Sequence, residues 1–370
     1  MPLILTGTSG LTTLDSSAGL TFSDSSNQSA AASPFGLKNR IINGDMVVSQ
    51  RNGTSSVTAA DGTFGVDRFK TAVVGSGVFT MQQSSIAPTG FSNSQLMTVT
   101  TADTSIASSD EYSYRHFIEG FNFADMMWGT ANAQTITLSF WVRSSVTGTY
   151  AVGLRNSDAN RTYPATYTIS AANIWERKTI TVAGDTSGTW VGATNGVGVG
   201  IIFSLGAGSN FQGTANSWNA GNLWSTSSAT QWISTNGATF YITGVQLERN
   251  TTATPFEWIP YGLELQLCQR YYQSLVTGGL NLAYNTTTLA SNIGFPVTMR
   301  GTPTVALNTA MVVTLPGVAN YTQSSSNISI DEATTSGARM TLANFTGLTQ
   351  FRNYMNISNG TYLMNFSAEL

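Results

Sequence analysis

Short runs of alternating apolar and polar residues dominate the chain. The clearest is residues 239–248, where Phe240, Ile242 and Val245 are apolar and Tyr241, Thr243 and Gln246 carry the polar atoms. Alternation with a period of two, in aromatic and β-branched residues, predicts a half-buried β-strand. Gly244 interrupts the run, which predicts a β-bulge or the close approach of another backbone.

Similar runs fill most of the remaining sequence, with turn residues between them. In residues 136–143, apolar side chains fall on one face and Thr137, Ser139, Trp141 and Arg143 on the other. Further strand-like runs begin at Val78, Leu96, Tyr150, Ile174, Val197, Ile293, Thr304, Met311, Asn327 and Arg339. This spacing predicts an all-β fold with a sandwich up to residue 260. Residues 206–237 predict a long loop with one short strand.

The best helical pattern covers residues 261–273, where Leu263, Leu267 and Tyr271 recur at intervals of four. A helix this short must pack on other elements to be stable. Residues 1–38 carry only sparse apolar side chains, which fits a linker or an extended arm ordered by a neighbouring subunit. We therefore expect an N-terminal arm (1–38), a sandwich (39–260), a linking helix (261–273) and a smaller C-terminal β domain (274–370).

Composition excludes several classes of function. Charged residues make up 9% of the chain and the net charge is −3, so the clustered cations of a nucleic-acid site are missing. One cysteine, Cys268, excludes an intrachain disulfide and a cysteine-based zinc site. No apolar run reaches 18 residues, so we expect no membrane span. The first residues lack the features of a signal peptide, and we expect neither cofactor nor metal.

Candidate binding residues lie in the stretch between residues 216 and 236. Trp218, Trp224 and Trp232 alternate there with small polar residues, among them Asn216 and Asn222. Indole rings stack on the CH faces of sugars, and amides hydrogen-bond to hydroxyl groups. These five residues are therefore candidate glycan ligands. The alternative is that the tryptophans fill the end of the sandwich, since tryptophan is more often buried than functional.

No catalytic constellation is predicted. Asp67-Arg68 and Glu119 fit a buried ion pair better than a pair of catalytic acids, which would need a set separation. Asp110 and Glu111 are adjacent, so on a strand they point to opposite faces. His116 has no second histidine or cysteine near it and is expected to be structural, and Cys268 is expected in a core.

An ordered set of motifs resembles a known family. Reading along the chain, they are Asn43-Gly-Asp, Gln50-Arg51, Val66-Asp-Arg-Phe, Leu138-Ser-Phe-Trp-Val-Arg, Ile242-Thr-Gly-Val-Gln-Leu-Glu, Thr254-Pro-Phe-Glu and Cys268-Gln-Arg-Tyr-Tyr. The set resembles the tail-fibre or receptor-binding proteins of tailed bacteriophages, and residues 39–260 resemble a carbohydrate-binding-module jelly roll. Many such modules hold calcium with paired acids in the last strand. Thr243-Gly244 stands there in this chain, with Asp45 as the remaining acid.

The resemblance implies a non-enzymatic, homotrimeric virion protein, folded in the host cytoplasm and released by lysis. It implies that residues 1–38 attach to other tail or capsid proteins and that the remainder binds a host polysaccharide or lipopolysaccharide. Two alternatives stay open. One is a purely structural capsid-surface or tail decoration fibre, and the more remote one is a glycan-depolymerising tailspike.

Overall fold

A computed structural model of the chain describes residues 20–21, 27–28, 37–276, 280–307, 310–356 and 363–370. The chain divides into two compact units, Met1–Lys38 and Asn39–Leu370. In the first unit the described residues form one antiparallel pair, β1 (Leu20–Thr21) with β2 (Asn27–Gln28). The extended arm expected over residues 1–38 otherwise lies outside the described residues.

Residues 39–260 form a sandwich of antiparallel strands. The strands are β3 (Val57–Thr58), β4 (Phe69–Val74), β5 (Val78–Ser84), β6 (Ser94–Thr101), β7 (Glu111–Glu119), β8 (Ile136–Ser144), β9 (Gly148–Arg155), β10 (Arg161–Ile169), β11 (Glu176–Val182), β12 (Val197–Ala207), β13 (Asn219–Ala220) and β14 (Thr239–Glu248). Short 3-10 helices lie at Gly120–Asn122, Ala124–Met126, Ser209–Phe211 and Trp232–Ser234.

Two six-stranded sheets face each other. One, the β12 sheet, has the order β13-β10-β9-β12-β7-β4, and the other, the β14 sheet, has the order β11-β8-β14-β6-β5-β3. One core lies between them. Phe140 of β8 meets Phe203 of β12 at a centroid distance of 5.1 Å, and Tyr150 of β9 lies 5.8 Å from Phe240 of β14. The predicted all-β, jelly-roll class is confirmed.

Strand β14 has the bounds that the alternation predicts and pairs with β6 on one side and β8 on the other. The pairing with β8 is irregular between Thr243 and Gln246. Gly244 has a φ of +61°, and a Cβ atom placed on it would lie 2.7 Å from the ring of Phe91. The expected bulge is confirmed, and the group that approaches the glycine is a side chain rather than a backbone.

The C-terminal part contains helix α1 (Tyr261–Gln269) and two further sheets with their own core. A three-stranded sheet has the order β15-β24-β18, and a seven-stranded sheet has the order β20-β19-β23-β16-β17-β22-β21. These strands are β15 (Tyr272–Val276), β16 (Leu280–Ala283), β17 (Leu289–Gly294), β18 (Thr304–Leu307), β19 (Val312–Leu315), β20 (Ala319–Thr322), β21 (Ile328–Ala333), β22 (Gly337–Leu342), β23 (Asn353–Asn356) and β24 (Leu363–Ser367).

Helix α1 is shorter than the pattern predicts. It ends at Gln269, and Tyr272 begins strand β15, where it pairs with Ser367 of β24. Pairing with a strand that is distant in sequence overrides a helical pattern that local spacing alone supports. Among the described residues, no helix has the length and apolar character needed to traverse a lipid bilayer.

Three motifs of the sequence meet where α1 and β15 join the sandwich. The Nδ2 atom of Asn43 donates to the main-chain oxygens of Val48, at 2.8 Å, and Asp67, at 2.9 Å. Gln50 Nε2 donates to the Asp67 carboxylate and to the Tyr272 carbonyl, which is 2.9 Å away. These polar side chains therefore join segments of the fold and are not free to bind a ligand.

The ion pairs at this junction differ from the expected one. Glu119, which is 1% exposed, accepts two hydrogen bonds from Arg270, at 3.0 and 2.6 Å, and does not pair with Arg68. Arg68 pairs with Glu369 instead, and Asp67 lies 3.5 Å from Arg51. The predicted pairing of Asp67-Arg68 with Glu119 is wrong because the partners come from segments that the local pattern could not place nearby.

Candidate functional site

Three tryptophans from separate loops meet at one corner of the sandwich. Trp128 follows a 3-10 helix, Trp190 follows β11, and Trp218 precedes β13. Their ring centroids are 4.7 Å apart for Trp128–Trp190, 5.1 Å for Trp128–Trp218 and 5.6 Å for Trp190–Trp218. Each pair meets edge to face, the favourable arrangement of aromatic quadrupoles. We call this group, with Tyr163 at 5.2 Å from Trp218, the aromatic corner.

Hydrogen bonds inside the protein satisfy all three indole N–H groups. Trp128 donates to the Gln134 carbonyl at 2.8 Å, and Trp218 donates to the Ala183 carbonyl at 3.1 Å. Trp190 donates to Asp185 at 3.2 Å. Trp128 is buried, whereas Trp190 and Trp218 are half-buried. The corner therefore offers apolar ring surface to a ligand, with the polar edges of the rings already engaged.

An ion pair borders the aromatic corner. Arg161 donates two hydrogen bonds to the buried Asp185 carboxylate, at 2.9 and 2.7 Å. The guanidinium carbon lies 5.9 Å from the centroid of the Trp218 ring. The hydrogen bond to Asp185 raises the pKa of Arg161. This bidentate geometry fixes the guanidinium beside the ring and leaves its positive charge balanced.

Asn216 lies in the same loop as Trp218, two residues before it. Its side chain is exposed, but its Oδ1 atom accepts from the Thr166 amide at 3.1 Å and its Nδ2 atom lies 3.2 Å from Thr166 Oγ1. Its φ of +56° is a left-handed value that asparagine tolerates. Of the five candidate residues, the structure places Trp218 in the corner, whereas Asn216 holds the same loop on β10.

Two of the candidate tryptophans are not accessible. Trp232 is fully buried in the sandwich core, with Phe79 at 5.8 Å. Trp224 is also fully buried, because it packs on the outer face of the β12 sheet beside Ile202 and Phe211. Neither ring can stack on a ligand, so the prediction is wrong for Trp224 and Trp232. Both tryptophans pack within the fold, which was the alternative interpretation of these residues.

Asn222 is half-buried, and its Oδ1 atom accepts from Arg155 Nη1 at 2.9 Å. The contacts that engage it are on the outer face of the β12 sheet and not with the aromatic corner. Trp190, Tyr163 and Arg161 belong to the corner but were not predicted. The one available signal for Trp190 was its position in a Gly-, Ser- and Thr-rich stretch like that around Trp218.

Other candidate groups have structural surroundings. His116 is fully buried, its Nε2 atom accepts from the Ile42 amide at 3.3 Å, and burial holds its pKa well below the usual value. Cys268 is buried in a small apolar cluster, as expected. Burial also raises the pKa of Asp45. Within the described ranges, no three carboxylate, imidazole or thiol side chains come together as metal ligands.

Comparison with known proteins identifies similar folds and no family. No protein-family model and no curated protein sequence matches the chain. The enzymatically active domain of tailspike protein 4 from bacteriophage CBA120 matches at 13% identity with a TM-score of 0.30, over 57% of this chain and 21% of that one. This chain thus spans about a fifth of the tailspike chain.

Two carbohydrate-binding modules match over nearly their whole length. A CBM4 protein is 16% identical with a TM-score of 0.28, over 57% of this chain and 99% of that one. The family 11 module of the cellulase Lic26A-Cel5E from Clostridium thermocellum is 9% identical with a TM-score of 0.26, over 55% of this chain and 100% of that one. At these identities the likeness concerns the fold alone.

Proposed function

We propose that this protein is a non-catalytic glycan-binding protein and that the aromatic corner is its binding surface. The observation that carries the proposal is the arrangement of Trp190 and Trp218. Both are half-buried, both are held edge to face against Trp128, and both have their N–H groups satisfied internally. A rigid, partly exposed pair of indole rings is suited to the CH face of a sugar.

The surroundings of the corner supply the polar contacts that a sugar needs. Arg161 stands beside Trp218, and the exposed Asn216 lies two residues before Trp218 in the same loop. Because stacking and neutral hydrogen bonds dominate, binding of a neutral glycan at this corner depends only weakly on salt.

We further propose that the protein is a homotrimeric fibre protein of a tailed-phage virion and that it attaches the particle to a host polysaccharide or lipopolysaccharide. Residues 1–38 would join other tail or capsid proteins. The protein would fold in the host cytoplasm and leave by lysis. Three weak sites on one trimer gain effective concentration on a repetitive surface, so a single site need not bind tightly. The ordered motifs from Asn43 to Tyr272 support this identity.

The absence of catalysis is part of the proposal. The acids that are candidate catalytic groups have structural partners: Glu119 binds Arg270, Asp67 binds Gln50, and Glu111 binds Arg115. The function therefore requires binding to the glycan without cleavage.

Incubation with bacterial cells and with isolated surface polysaccharide tests this function. We expect saturable binding to cells and no new reducing ends after long incubation. Saturable binding accompanied by product release would identify a depolymerase. Failure to bind the cells of any host tested would leave the structural decoration fibre as the better interpretation.

A further inference from the structure

The outer face of the β12 sheet gathers three cations. Arg155 of β9 and Phe117 of β7 both pair with Gly200 of β12, and Lys70 of β4 pairs with Arg115 of β7. Cross-strand partners point to the same face of a sheet. This face lies opposite the sandwich core, so the three side chains project away from the core and share one surface.

An aromatic ring lies among these cations. The Lys70 Nζ atom is 5.0 Å from the centroid of Phe117, and the Arg155 guanidinium carbon is 5.9 Å from the same centroid. The ring lies over Gly200, where a Cβ atom would come within 2.8 Å of it. A glycine at this place lets the ring lie close to the sheet, with both positive charges within reach of its π face.

The three cations differ in their partners. Arg115 forms an ion pair with Glu111 and donates to Ser113 Oγ at 2.7 Å. Lys70 donates to the main-chain oxygen of Leu370. The carboxylates of Asp61 and Glu369 also act on Lys70, and that of Asp61 acts on Arg115.

Arg155 has no carboxylate partner of this kind among the described residues. It donates to the neutral amide of Asn222, and no carboxylate lies within ion-pair distance of it in the part of the chain that the structure describes. Its Nε atom is buried without an acceptor among those residues. The fully buried Nε1 atom of Trp224, whose backbone packs against Gly153 of the same strand, likewise has none. Two N–H donors on this face therefore lack acceptors.

Electrostatics agree with this geometry. Burial lowers the pKa of Arg155 and of Lys70. Burial, followed by the charge of Arg155, lowers the pKa of Arg115 to about 9. The charge of Arg115 also lowers the pKa of Lys70, so the cations repel one another, and burial removes part of the hydration of all three side chains. A bound anion would offset both the repulsion between the cations and the loss of their hydration.

We propose that the outer face of the β12 sheet binds an anionic group, the carboxylate of an acidic sugar or a phosphate ester, with Arg155 as its principal ligand. Arg115 and Lys70 add positive charge, and the buried Phe117 ring packs between the strands beneath them. The guanidinium geometry suits a bidentate contact with either anion. The overall charge of −3 repels anions in general, so the attraction is local. The residues involved are distinct from those of the aromatic corner.

Calorimetric titration of the full chain tests this site. The probes are an oligogalacturonate for the carboxylate, a phosphorylated hexose for the phosphate and a neutral malto-oligosaccharide as the uncharged control. The variants are R155Q and K70Q, and the matched control is R177Q, which removes one exposed arginine from β11 of the other sheet. We expect an acidic probe to bind wild-type protein, with affinity that falls as NaCl rises from 20 to 200 mM.

R155Q should weaken that binding by about tenfold or more, the loss typical of a charge-assisted contact, and R177Q should leave it unchanged. Binding of the oligogalacturonate alone or of the phosphorylated sugar alone supports the site and identifies the anion. If neither acidic probe binds at low salt, or if R155Q binds as wild type does, the site does not exist. W218A should leave the affinity for the acidic probe unchanged and should abolish the binding of neutral glycan at the aromatic corner. This variant therefore distinguishes the two sites.

Discussion

Gly244 lies at a point in strand β14 where the fold leaves no room for a side chain. Its φ is +61°, and a Cβ atom there would lie 2.7 Å from the Phe91 ring and 3.0 Å from the Trp141 ring. A left-handed conformation alone costs a non-glycine residue about 1–2 kcal/mol. The steric overlap adds to that cost, because two packed aromatic rings must move.

We expect G244A to lower the free energy of unfolding by about 2–5 kcal/mol, the sum of the backbone cost and a typical overpacking cost. The matched control is G237A, where φ is +74° but no atom lies within 4 Å of the added Cβ. G237A should lower the free energy of unfolding only by the cost of the left-handed backbone conformation. Urea unfolding of both variants measures the difference, and equal losses would show that the contact with Phe91 is unimportant.

The limits of sequence reasoning are clearest for the tryptophans. Trp218 and Trp224 lie six residues apart in the same polar stretch, yet one is half-buried at the corner and the other is fully buried. The difference arises because Trp224 packs against Gly153 of β9, and Trp218 packs against Trp128 and Trp190. These contacts depend on tertiary structure, so composition alone identified the stretch and not the individual ligand residues.

At the scale of elements, the junction between helix α1 and the sandwich depends on buried charge. Glu119 at the end of β7 receives two hydrogen bonds from Arg270 and one from the Tyr271 hydroxyl, at 2.7 Å. Removing one member of a buried ion pair leaves the other without its partner, which is more costly than removing both. Arg270 and Glu119 therefore attach the C-terminal part to the sandwich.

R270Q should destabilise the protein by about 3 kcal/mol, because Glu119 then remains buried without a cation. The double variant E119Q/R270Q should recover part of this loss. Thermal unfolding of the wild type, R270Q, E119Q and the double variant measures the coupling. If E119Q lowers the free energy of unfolding by the same amount in the R270Q background as in the wild type, the two residues are not coupled. That result would contradict a specific pair at this junction.

Glu264 of α1 makes the same junction sensitive to pH. Burial, opposed by the hydrogen bond from the Asn43 amide, raises its pKa from 4.5 to about 7. Between those values the folded chain holds a proton that the unfolded chain has released, so stability falls as pH rises. Asp67, whose pKa burial raises to about 6, acts in the same direction.

E264Q should unfold at a higher temperature than wild type at pH 8, with a gain of about 3 kcal/mol, and should differ little at pH 4.5. Its amide oxygen can still accept from Asn43. E332Q, which changes an exposed glutamate, is the control. Scanning calorimetry at several pH values makes the comparison, and a parallel fall in stability for wild type and E264Q would exclude Glu264 as the source.

Local alternation predicted the strands well, and β14 and β8 follow it closely. Such runs carry their own signal because each face of a strand meets a different environment. The end of α1 was not predictable in this way. Residues 270–273 fit a helical stripe, but β15 forms there because it pairs with β24, about 90 residues further along the chain.

At the scale of the whole molecule, the proposed fibre role requires three copies. The solution mass should be three times the 39.3 kDa of one chain. Light scattering coupled to size-exclusion chromatography measures this mass directly over a range of concentrations. A monomer mass throughout that range would contradict the trimer and would remove the avidity on which attachment by weak sites depends.

The central claim is that the aromatic corner binds glycan, and a glycan array probed with variants tests it most directly. Wild-type protein should bind a subset of host surface glycans, W218A should lose that binding, and W218F should retain part of it because a ring remains. W258A is the matched control, since Trp258 is 55% exposed and lies outside the corner. The account predicts wild-type binding by W258A. Equal binding by W218A and wild type would contradict it.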